Sequence, residues 1–65
     1  LPLSKRELEV ARLITQGHSH KQIAQLLHLS PRTIDGHRDN IYQKLNIHNR
    51  ATLTRYMMIN NLMEG

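Results

Sequence analysis

Apolar residues return along this chain at the three- and four-residue intervals of amphipathic helices, in four stretches separated by polar punctuation. The first stretch carries Val10, Leu13 and Ile14, with Leu3 just ahead of it. It opens on Ser4-Lys5-Arg6-Glu7, a capping box in which Ser4 accepts from a free amide while Glu7 reaches back. Gly17, suited to the left-handed conformation, closes it. Ser19 then caps a short stretch bearing Ile23, Ala24, Leu26 and Leu27, which stops at His28-Leu29-Ser30. Ser30-Pro31 pairs an N-cap residue with proline at the first helical position and starts the third stretch. There Ile34, Ile41 and Leu45 share a face, and Asn46 is placed to end it. Asn49 caps the fourth. The pattern predicts helices over about 4–16, 19–27, 31–45 and 49–62, an all-α four-helix bundle forming one domain over 1–65.

Composition narrows what can hold such a bundle together. The chain has 65 residues and no cysteine, so neither disulfides nor thiolate metal sites can brace it. Apolar residues make up 38%, with no Trp or Phe and only two Tyr, a set suited to helix-on-helix packing rather than a sheet core. No apolar run approaches the roughly 18 residues of a membrane span and no signal segment opens the chain, so a cytoplasmic protein with no membrane partner is expected.

Charge is concentrated in one region. The net charge of +4 falls entirely within residues 18–55, where Lys21, Arg32, Arg38, Lys44, Arg50 and Arg55 face only Asp35 and Asp39. A basic middle on a small domain suits a polyanion, or else is an ordinary basic surface. The third stretch adds a second clue. At about 100° per residue its apolar residues cluster within about 40°, leaving Arg32, Asp35, Gly36, Asp39 and Gln43 on the far side. Gly36 makes a low spot there at about 1 kcal/mol of helix propensity. Three residues separate the second helix from the third, which forces a sharp turn of the helix-turn-helix kind. A helix of this shape fits the major groove of B-DNA.

These blocks, in order and without gaps, resemble one family. Leu3-Ser4-Lys5-Arg6-Glu7-Leu8-Glu9-Val10, Gly17-His18-Ser19-His20-Lys21-Gln22-Ile23-Ala24, Leu29-Ser30-Pro31-Arg32-Thr33-Ile34 and His37-Arg38-Asp39-Asn40-Ile41-Tyr42-Gln43-Lys44-Leu45-Asn46 look like the signatures of LuxR-type (GerE-like) DNA-binding domains. Asn49-Arg50-Ala51-Thr52-Leu53 is similar to the start of that family's fourth helix. The His37-Arg38-Asp39-Asn40 run that opens the fourth block is most like the C-terminal output domains of two-component response regulators. The resemblance implies a tetrahelical domain that binds double-stranded DNA to regulate transcription in the bacterial cytoplasm, with the third helix in the major groove. It also implies a homodimer through the fourth helix, an upstream receiver-like domain outside this chain, RNA polymerase as a partner, and no cofactor.

The resemblance puts base contacts at Asp35, Gly36 and Asp39, where relatives often carry cationic residues. A carboxylate cannot bond a guanine edge but can accept from the cytosine amino group, so a different sequence preference is expected. Either carboxylate could instead pair with Arg32 or Arg38 nearby. Phosphate contacts are expected from Lys21, Arg32, Thr33, Arg38 and Lys44, with a solvated surface as the plainer alternative for Lys21 and Lys44 and a structural role bracing the helices for Arg38. In the fourth helix Leu53, Tyr56 and Met57 share one face, while Ala51, Met58 and Leu62 lie opposite and are the dimerisation candidates.

Other chemistries find little support. The five histidines lie on different elements with no cysteine to complete a zinc set, and no metal site is expected. Ser4, Ser19 and Ser30 are all explained as helix caps, so no catalytic residue is expected and the chain is not an enzyme. Two other binding classes remain: a sigma-factor-like promoter-recognition module and a helical protein-interaction domain.

Overall fold

The computed structural model describes residues 2–63 and has four helices among them: α1 (Lys5–Thr15), α2 (His20–Leu27), α3 (Pro31–Leu45) and α4 (Arg50–Ile59). Each begins on a polar residue in extended backbone. Ser4, Ser19, Ser30 and Asn49 accept, through their side chains, from the amides of Glu7, Gln22, Thr33 and Thr52. The first two caps are full boxes, with Glu7 and Gln22 bonding back to the cap amide.

One device ends all four helices. Gly17, His28, Asn46 and Asn61 take left-handed φ values of 98, 59, 54 and 56°. The amides that follow, of His18, Leu29, Ile47 and Leu62, then bond back to the carbonyls of Leu13, Ala24, Tyr42 and Met57 at 3.2, 2.9, 3.0 and 2.8 Å. This closes the orphan carbonyls and turns the next residue inward. Ile47 is buried by it, and Leu29 and Leu62 pack against the core. A histidine in this conformation, as at His28 in the turn between α2 and α3, costs on the order of 1 kcal/mol.

The core forms where α1 meets the other three helices and α2 lies along α3. Val10, Ile23, Ile34, Ile41, Leu53 and Met57 are fully buried, joined by Leu3, Ala11, Ile14, Ala24 and Ile47. Each large side chain in that set contributes about 2 kcal/mol by leaving water. Leu26, from the apolar set of α2, instead stands 53% exposed. Among the described residues no helix is long and apolar enough to cross a membrane.

The fourth helix departs from expectation. It ends at Ile59 rather than near 62, because Asn61 turns left-handed. Leu62 therefore does not continue the outer face marked by Ala51 and Met58. It folds back half-buried against the core, and its carbonyl accepts from Arg12 Nε at 2.8 Å. Thr15 Oγ1 donates to Met63 Sδ at 3.4 Å just beyond. The tail is thus tied along α1, and the outer face of α4 is carried by Ala51, Met58 and Ile59, the last two 65% and 71% exposed.

Candidate nucleic-acid interface

The geometry of α3 follows from its two faces. Ile34 and Ile41 are fully buried, which fixes the helix's rotation and turns Arg32, Gly36, Asp39 and Gln43 outward, all exposed, with Asp35 half-exposed beside them. Ser30, at the N-terminus of this helix, holds Thr33 twice: its Oγ accepts from the Thr33 amide at 3.1 Å and lies 2.9 Å from the Thr33 hydroxyl. The His20 ring, at the first position of α2, pairs with Asp35. The N-terminal end of α2 therefore lies against the outward side of α3.

The candidate cations separate into two kinds. Lys21 and Arg32 are exposed and make no ion pair among the described residues. Arg38 holds its neighbour Asp39 through Nη2 at 3.1 Å and Nε at 3.3 Å. That pair is open to water and worth at most about 1 kcal/mol, so both groups can exchange partners cheaply. Asp35 pairs with His20 rather than with Arg32 one turn away.

Lys44 is of the other kind. Its Nζ donates to Glu7 Oε1 at 2.7 Å, and the Ser4 amide donates to the same oxygen at 2.9 Å. Glu7 is only 5% exposed, the one buried charged residue of the described chain. The Lys44 bond, then the Ser4 amide, hold its carboxyl below the ordinary range, against the opposing pull of burial. Lys44 thus braces α3 to α1 rather than standing as a solvated surface charge, and is engaged before any phosphate arrives. Glu7 was legible as a capping residue but not as this anchor. Its spacing of three, four and seven from Val10, Ala11 and Ile14 places it on the buried face, a signal present in the sequence.

Gly36 leaves space as well as flexibility. A Cβ built there meets nothing within 4 Å, so alanine fits the folded domain. Gly36→Ala is expected to stabilise the chain by about 1 kcal/mol, raising the melting midpoint by roughly 4–8 °C in calorimetry. If the bare backbone at this spot lies against a groove wall, the same variant binds duplex DNA at least several-fold more weakly. Unchanged affinity alongside raised stability would remove Gly36 from the interface.

The chain has recognisable relatives. A family model described as "Bacterial regulatory proteins, luxR family" matches residues 1–57. The chain is 40% identical over 62 residues to "Oxygen regulatory protein NreC" of Staphylococcus carnosus, covering 95% of this chain and 29% of that protein. It is 41% identical over 63 residues to "Fimbriae Z protein" of Salmonella typhimurium, covering 97% of this chain and 30% of that one. The Staphylococcus aureus NreC protein is 39% identical over 62 residues, with 95% and 29% covered. The chain thus spans less than a third of the length of these relatives. No solved structure matches it. With four capped helices, a polar face turned outward on the third, and a family match running from residue 1 to 57, this chain belongs to the luxR family of bacterial regulatory proteins, and its helix-turn-helix is a DNA-binding element of transcription regulation.

Proposed function

We propose that this chain is the output domain of a phosphorylation-controlled response regulator, binding a specific duplex with α3 in the major groove. The observation that carries the proposal is the outward face of α3, polar along its length and lowered at Gly36, with the exposed cations Lys21 and Arg32 making no ion pair among the described residues. Asp35, Gly36 and Asp39 are the base-contacting residues. Lys21, Arg32, Thr33 and Arg38 meet phosphates, and Lys44 does so only by leaving Glu7. A carboxylate-bearing face favours cytosine amino groups over the guanine edges that lysine or arginine would read.

Two copies pair through α4, burying Ala51, Met58 and Ile59, while Leu62 is turned away from that face toward the core. Relatives more than three times as long support an upstream receiver-like domain, and a regulator of this kind acts on RNA polymerase in the bacterial cytoplasm. The luxR family works by binding DNA, not as enzymes, and the proposal needs no cofactor.

Titration of the labelled chain with a promoter-derived duplex, followed by amide chemical shifts, tests the proposal. Residues 30–40 are expected to move first, with the amides of Lys21 and Gln22 among them. Shifts confined to α4 would overturn it.

A further inference from the structure

We infer that His20 is a positioning residue for Asp35, and that the pair makes Asp35 a single-acceptor reader of a cytosine amino group; the inference rests on the groove-binding reading above. His20 occupies the first position of α2. A potentially cationic ring is unfavourable at a helix N-terminus, so α2 itself gains nothing from it there. Its partner lies on the other helix: His20 Nδ1 pairs with Asp35 Oδ1, across fifteen residues of sequence and the sharp turn.

Asp35 has few other means of support. It is the fifth residue of α3, past the first turn where a helix favours carboxylates. One turn on stands Asp39, a like charge, and Arg32 does not pair with it. The His20 ring is therefore what orients this carboxylate on the outward face.

The pairing decides what Asp35 can recognise. A carboxylate only accepts, so Nδ1 of His20 carries the shared proton. With Oδ1 engaged by the ring, Oδ2 is the oxygen turned free to accept, and a forked contact is disfavoured. In the major groove guanine presents only acceptors, thymine an acceptor and a methyl group, and adenine an acceptor beside its amino group. Cytosine alone presents a donor without a neighbouring acceptor. The open space at Gly36, next along the helix, keeps the approach free.

Duplexes selected from a random pool by the wild-type chain provide the test, with Asp35→Ala, His20→Ala and His20→Asn compared on the best duplex and on its cytosine-to-thymine counterparts. Wild type is expected to prefer cytosine about tenfold at one position of each half-site. Asp35→Ala abolishes that preference. His20→Ala reduces it to twofold or less while leaving the melting midpoint and the affinity for an unrelated duplex unchanged. His20→Asn, whose amide N–H can replace Nδ1–H, restores most of it. A merely structural histidine would weaken all duplexes together. Undiminished discrimination in His20→Ala or Asp35→Ala overturns the inference, as does a loss in His20→Ala that His20→Asn fails to restore. Failure of the wild-type chain to retain any duplex at low salt would overturn the groove-binding reading beneath it.

Discussion

Raising salt from about 50 to 200 mM is expected to weaken duplex binding about 40-fold per bound copy, and on the order of a thousandfold for a pair bound together. The magnitude follows from counting cations free to meet phosphates. Among the described residues Lys21 and Arg32 make no ion pair and Arg38 is held by an exposed neighbour, giving three per domain. Each adds roughly 0.9 to the slope of log affinity against log salt. A measured slope near three therefore reports one copy, and a slope near five or six reports two. Lys21→Ala and Arg32→Ala should each lower the slope by about one per copy without changing sequence preference.

Lys44→Ala is the informative contrast. Because its Nζ sits 2.7 Å from a buried carboxylate, the loss should appear in stability while the salt slope stays put. Fluorescence anisotropy across a salt series reads all of these. A flat salt dependence would be incompatible with the proposed phosphate contacts, and a Lys44→Ala slope that fell as far as that of Lys21→Ala would mean that Glu7 releases its partner on DNA.

Removing the other end of that brace should have the larger effect on folding. Glu7→Ala loses the reciprocal half of a capping box and leaves Lys44 without its partner, at a combined cost of about 2 kcal/mol. In a domain of this size the melting midpoint then drops by roughly 8–16 °C, a large fraction of a total stability on the order of 3–10 kcal/mol. Glu7→Gln keeps the amide contact to Ser4 and loses only the charge, so it should fall about halfway.

The pH dependence has a definite sign. The folded domain holds the Glu7 carboxyl below its ordinary value of 4.5, chiefly through Lys44. The folded state therefore favours the ionised form, and the stability gained is fully present above the ordinary carboxylate range. It is lost as pH falls through the lowered value. Urea unfolding followed by circular dichroism should show a constant gap between wild type and Glu7→Gln from pH 7 to about pH 5, closing on further acidification. A gap that persists to the acid limit, or widens, would contradict an ionised Glu7.

Much of this domain is written locally. Ser4, Ser19, Ser30 and Asn49 bond to amides three residues on, and Gly17 and Asn46 end their helices within the same turn. Such bonds close within a few residues, so residue type and spacing suffice to locate them. The outward face of α3 was legible for the same reason, because Ile34 and Ile41 set its rotation through the helical period. Even the missed left-handed turn at Asn61 has a local cause, since asparagine tolerates that conformation.

What the sequence could not settle is who pairs with whom across helices. Asp35 has Arg32 one turn away and yet takes His20 from α2; Lys44 looks like a phosphate ligand and is bound to Glu7 of α1; Leu62, in phase with Ala51 and Met58, is turned back toward Arg12. Each outcome depends on a few ångströms of docking between elements far apart in the chain, which no periodicity encodes. The sequence by itself determined four helices, their caps and the polarity of each face, because those arise from bonds and rotations within a turn. Only the tertiary structure decided which charges on those faces are free to meet DNA and which are already engaged, because short-range electrostatic pairing is settled by distance in space.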